Sequence, residues 1–185
     1  MVLWLHFADL RASQVLVRPV TFGMAISIPQ TELDVWNDRL MHPAWIALGL
    51  QNDIYSWPKE RDDAKVHGRD YVVNGVWVLM CEQGISENEA LESLRAETKK
   101  YVAKYVQTVN DYRYNEGLSA EFRKYMEAMM YTVSGNAVWS ISCPRYHPGC
   151  SYNDFQLSLM KKALEFDVEE NLDQNSLRRQ VEVSG

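Results

Sequence analysis

The chain of 185 residues lacks the features that mark three broad classes of protein. It has only three cysteines, and this odd number without a regular framework indicates a reduced, intracellular protein rather than a disulfide-stabilised one. No apolar run approaches the roughly 18 residues of a membrane-spanning helix. There is no basic stripe, and the net charge of −6 argues against a nucleic-acid partner. We therefore expect a cytoplasmic protein with neither a membrane span nor a nucleic-acid partner.

The apolar residues recur with helical spacing along nearly the whole chain, which predicts an all-α bundle. A helix break is expected at His42-Pro43, and the polar segment 61–68 is predicted to form a loop. From Asp167 onwards the chain is polar and has few large apolar residues, so residues 167–185 are predicted to form a loose tail. The predicted helices cover residues 3–16, 31–40, 44–59, 71–81, 86–114, 119–144 and 152–166. The β-branched residues within 71–81 also permit a strand, but the neighbouring helices favour a buried helix there.

Capping residues predict where several of these helices begin. Ser86 and Glu89 have the spacing of a capping box, in which each satisfies a free backbone N–H group of the other residue. Ser119 is placed to cap the next long helix, and Thr31 with Asp34 resembles an N-cap and its partner. These signals agree with a bundle of mostly buried helices.

Three oxygen-bearing side chains recur every four residues in segment 52–60. Asn52, Ser56 and Glu60 share one face of a helix, because a helix has 3.6 residues per turn. An amide oxygen, a hydroxyl and a carboxylate suit a hard cation such as Mg²⁺, which also keeps some of its waters. Lys59 adds a positive charge that would hold an anion beside the metal. A solvated polar face is the alternative, but the apolar flanks favour a metal, since a buried carboxylate is costly unless paired or metal-bound.

Two further groups of residues suit a phosphate. Arg145 offers a rigid fork of donors and Tyr146 a hydroxyl donor, although such a pair can also form a surface ion pair. Trp139 lies about two turns earlier, where it either lines a cavity or belongs to the core. Arg11 lies in an apolar helix and needs a partner, either a phosphate or a carboxylate.

These elements together resemble the class I terpene cyclases. The segment Asn52-Asp-Ile-Tyr-Ser56-Trp-Pro-Lys-Glu60 matches every position of that family's second metal-binding motif, N-D-x-x-S-x-x-x-E, and Arg145-Tyr146 resembles its late Arg-Tyr pair. The resemblance runs from about Phe7 to Met160. It is strongest to the fungal branch with cyclase domains of the fusicoccadiene and ophiobolin synthase type, on three segments: Phe22-Gly-Met24, Val73-Asn-Gly-Val-Trp77 and Trp139 through Pro148.

The resemblance implies a partial class I terpenoid synthase bundle, with residues 1–166 as the C-terminal part of a cyclase domain. It implies Mg²⁺-dependent ionisation and cyclisation of an isoprenyl diphosphate of C20 or C25 length. The implied site residues are Asn52, Ser56 and Glu60 for Mg²⁺, Arg11, Lys59, Arg145 and Tyr146 for the diphosphate, and Trp139 and Phe22 beside the cation formed from the substrate.

The sequence departs from the family pattern in two places. The sensor arginine of the family is followed three residues later by Asp, whereas Gln14 stands there in this chain and Val15 occupies the effector position. The family also has an aspartate-rich motif, D-D-x-x-D or D-D-x-x-x-D, that holds two further Mg²⁺ ions. No such motif precedes residue 52, and Asp62-Asp63 follows the metal motif and does not fit. We therefore expect impaired turnover.

Three interpretations follow from this mixture of matches and departures. The chain is a partial copy of a diterpene or sesterterpene cyclase, a non-catalytic helical protein that keeps one Mg²⁺-diphosphate half-site, or an unrelated helical enzyme with a chance motif. A partial bundle would also expose apolar surface, so we expect self-association.

Overall fold

The structure is a computed structural model that describes residues 20–152 together with residues 154, 157, 158 and 161. The main helices are α1 (Gln30–Val66), α2 (Gly75–Gln83), α3 (Glu87–Tyr112) and α4 (Ala120–Ser142). No strand occurs in the described residues, and the prediction of an all-α fold is confirmed. These residues also contain no helix that is long and apolar enough to cross a membrane. The predicted helix over 3–16 and the predicted tail lie outside the described residues.

The chain divides into two compact units, Met1–Ser142 and Cys143–Gly185. In the first unit α1 packs along α3, and it also contacts α2 and α4. In the second unit the described backbone after α4 forms turns, with the backbone N–H groups of Tyr146 and His147 donating to the Cys143 carbonyl oxygen at 3.1 and 3.0 Å.

Two apolar clusters form the core of the first unit. One joins the N-terminal half of α1 to α3 and α4, and its largest buried side chains are Met41, Trp45, Tyr105, Phe122, Tyr125, Met126 and Met129. The other joins the C-terminal half of α1 to α2 and the start of α3, through Ile46, Leu50, Trp57, Val76, Leu79 and Leu94. The partly buried Tyr101 packs against both clusters, so α1 is held along most of its length.

The predicted helix break at His42-Pro43 is wrong, because α1 continues through both Pro43 and Pro58. A proline inside a helix removes one backbone hydrogen bond and costs about 3 kcal/mol. Met41 and Trp45, one on each side of this site, are fully buried. Burying such side chains contributes about 1.5–3 kcal/mol each, which offsets the cost of the proline. The N-cap residue is Pro29 rather than Thr31, and no side chain caps this end.

The segment 61–68 was predicted as a loop, and this is also wrong, because α1 runs to Val66. Its polar residues form the exposed end of a helix, where Arg61 pairs with Glu87 of α3 at 2.9 Å. The helix ends in a Schellman motif: the Gly68 N–H donates to the Lys65 carbonyl at 3.1 Å and the Arg69 N–H to the Ala64 carbonyl at 2.9 Å. Gly68 has φ +62°, a left-handed conformation that favours glycine.

The other helix boundaries lie close to the predicted ones. The Ser86–Glu89 capping box is present, and the Ser119 hydroxyl accepts the Phe122 N–H at 3.0 Å. The helix predicted over 71–81 begins later, at Gly75, because Asn74 acts as its N-cap. This cap places Asn74 beside the second half of α1, where the predicted metal ligands lie.

Candidate metal centre

The three predicted metal ligands lie on α1, as the sequence spacing requires. An α-helix rises about 1.5 Å per residue, so neighbouring ligands are separated by roughly 6 Å along the axis. Their surroundings differ: Asn52 is exposed, Ser56 is only 3% exposed, and Glu60 is half-buried. The row of oxygens therefore passes from solvent at Asn52 to a covered position at Ser56.

The packing of Trp57, which directly follows Ser56, fixes the rotation of α1 about its own axis at the motif. Trp57 is buried and packs in the same cluster as Val76 and Leu79 of α2. Its indole Nε1 is buried and has no hydrogen-bond partner. The indole therefore holds the motif by apolar contact, and Ser56 takes its position from the neighbouring tryptophan.

A polar side chain from outside the motif contacts two of the predicted ligands. The Asn74 Nδ2 atom lies 3.0 Å from Glu60 Oε2, 3.4 Å from Ser56 Oγ and 3.0 Å from the Asp53 carbonyl oxygen. Asn74 is fully buried. It lies in the segment 73–77 that carries part of the family resemblance, and an Asn before an apolar run is a typical N-cap signal. The sequence could therefore predict its capping role but not its contacts with the motif.

The second residue of the motif, Asp53, also contacts the start of α2. Its carboxylate accepts a hydrogen bond from the Gly75 N–H. A helix N-terminus carries unsatisfied N–H groups and partial positive charge, so a carboxylate is favourable there. Asp53 is thus directed toward α2, while Asn52, Ser56 and Glu60 form the predicted ligand face.

A further hydrogen bond connects this part of α1 to α4. The Asn136 Nδ2 donates to Gln51 Oε1 at 2.9 Å, and Gln51 is buried directly before the motif. A hollow of about 250 Å³ adjoins the other end of the motif and is lined by Glu60, Asp63, Ala64, Arg69, Tyr71, Val72 and Val73. A larger hollow of about 300 Å³ between α1, α2 and α3 contains none of the predicted site residues.

The structure gives the exposure of most of the other predicted site residues but does not test their roles. Lys59 is exposed on α1, Trp139 of α4 is 41% exposed, and Phe22 is 90% exposed. Arg145 and Tyr146 belong to the second unit, where the Arg145 guanidinium carbon lies 5.8 Å from the Tyr146 ring centroid. The Arg145 side chain is exposed and Tyr146 is buried. Arg11 lies outside the described residues, and these roles stay predictions.

The donor set on α1 can be tested for its fit to a metal. Amide, hydroxyl and carboxylate oxygens are hard donors, which suit Mg²⁺ and are poor ligands for soft metals. Across the described part of the chain, no group of three or more His, Cys, Asp or Glu side chains could hold a metal ion. The predicted ligands include a single carboxylate, that of Glu60, so an ion held there would complete its coordination with water or anionic oxygens. This is the way in which proteins usually bind Mg²⁺ with substrate phosphates.

A comparison with known protein families identifies the family of this chain. The family model described as "Terpene synthase family 2, C-terminal metal binding" matches residues 11–104, about half of the chain. The chain belongs to this terpene synthase family, and its matched region is a metal-binding one.

The similar proteins are fungal terpene synthases. The chain is 49% identical over 145 residues to the fusicoccadiene synthase of Phomopsis amygdali, covering 78% of this chain and 20% of that protein. It is 47% identical over 145 residues to a bifunctional type I diterpene synthase of Aspergillus flavipes, covering 78% and 19%. It is 40% identical over 138 residues to the ophiobolin F synthase of Cochliobolus heterostrophus, covering 75% and 18%. The chain thus spans about a fifth of the length of the curated relatives it matches.

Proposed function

We propose that this chain supplies the second metal-binding motif of a terpene cyclase and binds an isoprenyl diphosphate through Mg²⁺. The observation that carries the proposal is the oxygen row on α1, in which Ser56 is buried and Glu60 is held by a buried amide at 3.0 Å. A carboxylate and a hydroxyl fixed in this way are arranged to ligate a cation rather than to be solvated. The family membership supports the same conclusion, since the matched region is a metal-binding one.

Each predicted site residue then has a role. Asn52, Ser56 and Glu60 would hold Mg²⁺, and Lys59, Arg145, Tyr146 and Arg11 would bind the diphosphate oxygens. A bound Mg²⁺ neutralises negative charge on the diphosphate and so improves it as a leaving group. Trp139 and Phe22 would present aromatic faces to the allylic cation, each contributing about 0.5–2 kcal/mol.

The names of the relatives support a long isoprenyl chain. They include a diterpene synthase and, at 39% identity, a bifunctional sesterterpene synthase of Aspergillus aculeatus. Diterpenes have 20 carbons and sesterterpenes 25, so we propose a C20 or C25 diphosphate as the ligand. The three cysteines are free, and we propose a reducing, cytoplasmic location on that ground.

Binding without turnover is the second candidate function, and one observation favours it. The 185 residues contain no aspartate-rich motif of the family type, and the row of predicted ligands on α1 offers a single carboxylate, that of Glu60. We therefore propose that catalysis by this chain alone is impaired. It would then act as a helical diphosphate-binding or partner protein of cyclase type.

Removing the Glu60 carboxylate is expected to weaken Mg²⁺-dependent diphosphate binding. Titrating the chain with geranylgeranyl diphosphate in an excess of Mg²⁺ should give a binding isotherm that disappears with EDTA. We expect Glu60→Gln to lower the affinity at least about tenfold, because the change keeps the shape of the side chain and removes only its charge. Isothermal titration calorimetry measures the affinity directly.

The matched control is Glu92→Gln on α3, where an exposed Glu pairs with Arg95 at 2.6 Å. This variant loses the same charge away from the motif and should bind like the unchanged chain. Equal binding by both variants, or binding that does not depend on Mg²⁺, would contradict the proposed function. Tight binding with no released product would favour the second candidate.

Exposed apolar residues on α4 support the expected self-association. Tyr131, Val138 and Ile141 recur at helical spacing and are each more than half exposed. We expect the chain to self-associate through this face, since contiguous apolar patches seldom stay uncovered. Light scattering should show species larger than 21.4 kDa, and Val138→Glu with Ile141→Glu should reduce them. A monodisperse monomer would contradict this expectation.

A further inference from the structure

We propose that Asn74 is a positioning residue for the metal site, and that its side-chain amide holds Ser56 and Glu60 in the orientation that binds the ion. The inference rests on the proposed metal-binding function of α1. Asn74 lies outside the motif, and its proposed role is to orient two of the metal ligands rather than to bind the metal.

The direction in which the Asn74 amide points is fixed by its role as a helix cap. The Val76 N–H donates to Asn74 Oδ1 at 2.9 Å, and the Asn74 backbone is extended, with φ −154° and ψ 142°. Since an N-cap side chain must present its oxygen to the helix, the NH₂ group is forced to face α1. Asn74 is therefore a donor to the motif and not a further metal ligand.

The Asn74 NH₂ group has fewer hydrogens than neighbouring acceptors, so the distances show which contacts are its main hydrogen bonds. It carries two hydrogens and faces three acceptors, of which the Asp53 carbonyl and Glu60 Oε2 are at 3.0 Å and Ser56 Oγ is at 3.4 Å. The two shorter contacts satisfy a fully buried donor, and the longer one shares a hydrogen with them. The Glu60 carboxylate is thus the principal side-chain partner of Asn74.

This contact has a direct consequence for metal binding. With Oε2 accepting from Asn74, the Glu60 carboxylate is held in one orientation, and its second oxygen remains able to ligate a cation. Hydrogen bonds of this kind from outside the ligand set orient metal ligands, and their loss typically weakens metal binding about 10–100-fold. The same amide also faces the Ser56 hydroxyl, so one side chain restrains two of the three predicted ligands.

The backbone next to Asn74 adds a second connection. The Asp53 carboxylate accepts from the Gly75 N–H, so two successive residues at the start of α2 are hydrogen-bonded to α1. Val76 follows in the apolar cluster with Trp57. Polar and apolar contacts together fix Asn74 against the motif, which gives its amide a defined position.

If Asn74 served only as the cap of α2, Asn74→Ser would keep metal binding unchanged, whereas a positioning role predicts weaker binding. Serine is as good an N-cap as asparagine, but its hydroxyl is too short to replace the long amide across to α1. Asn74→Ser should therefore restore the cap without restoring the contacts to Glu60 and Ser56. Asn74→Ala removes both.

The experiment compares Asn74→Ala, Asn74→Ser and Glu60→Gln with the unchanged chain. Thermal unfolding followed by circular dichroism reports the cap, and titration with MnCl₂ plus inorganic pyrophosphate, followed by electron paramagnetic resonance of free Mn²⁺, reports the site. We expect Asn74→Ser to melt above Asn74→Ala, because it keeps the cap, and below the unchanged chain, because it loses the contacts to α1. We expect both Asn74 variants to bind Mn²⁺ about 10–100-fold more weakly.

The outcomes separate this inference from the proposed function. The proposed function fails if the unchanged chain binds no Mn²⁺. It also fails if Glu60→Gln binds Mn²⁺ as tightly as the unchanged chain. If Glu60→Gln loses binding while Asn74→Ser keeps it within twofold, the metal site stands and the positioning role is overturned. Asn74→Thr, a second capping residue of similar size, replaces Asn74→Ser if that variant is not folded at the temperature of the titration.

Discussion

Trp45→Ala is expected to lower the free energy of unfolding by about 3–5 kcal/mol. Trp45 is fully buried in the cluster that joins α1, α3 and α4, and it is among the largest buried side chains of the described chain. The substitution leaves a cavity that the surrounding helices fill only in part. Since domains are stable by about 5–15 kcal/mol, the loss would remove a large share of the total. Urea denaturation followed by circular dichroism measures it.

The control for this prediction is another tryptophan. Trp139→Ala removes an indole of the same size that is 41% exposed, so its effect should be within about 1 kcal/mol. Trp45→Phe should fall between the two, because the Trp45 Nε1 has no hydrogen-bond partner to lose. Equal destabilisation by Trp45→Ala and Trp139→Ala would show that the cluster does not form as described.

The helical fold could be predicted from the sequence because its signals are local. Apolar spacing and the Ser86–Glu89 capping box each depend on residues within one or two turns. The errors occurred where tertiary packing decided the result. Pro43 is a helix breaker by local rules, yet the buried side chains on both sides of it keep α1 continuous. The end of α1 is an error of a different kind: polar composition over 61–68 favours a loop, whereas the local signal of the helix end is Gly68, with φ +62°.

The candidate site, too, could be predicted from the sequence only in part. Asn52, Ser56 and Glu60 could be found from their spacing on one helix, since that spacing alone sets a shared face. The contact of Asn74 with Glu60 joins residues 14 positions apart across two helices, and no periodic pattern encodes it. The same is true of Asp53, whose carboxylate is directed to Gly75. Residues that position a site thus become visible only when the helices are placed together.

The proposed metal site would allow an acidic protein to bind an anion. The chain has a net charge of −6, so a diphosphate would be repelled by the protein as a whole. The predicted ligand row Asn52, Ser56 and Glu60 carries a single negative charge, so a divalent ion held by it leaves net positive charge for the phosphate oxygens. Metal and diphosphate should therefore bind together, each weakly without the other.

We expect no cyclised product when the isolated chain is incubated with geranylgeranyl, geranylfarnesyl or farnesyl diphosphate and Mg²⁺. A single oxygen row with one carboxylate holds at most part of the charge needed to release a diphosphate. The resemblance to class I cyclases assigns two further Mg²⁺ ions to an aspartate-rich motif, and the 185 residues do not contain one. Each 1.4 kcal/mol of lost transition-state stabilisation costs about tenfold in rate, so losing two ions should reduce turnover below detection. Gas chromatography with mass spectrometry of a hexane extract measures the products.

Fusicoccadiene synthase of Phomopsis amygdali, a relative at 49% identity, serves as the positive control under the same conditions. Because the chain should still bind diphosphate, the calorimetric titration must show binding in the samples that give no product. Absence of both binding and product would point to a chain that has lost its ligand as well as its activity. Clear cyclisation by the isolated chain would contradict the prediction and would require that the motif on α1, with water and diphosphate oxygens, assembles a sufficient metal site by itself.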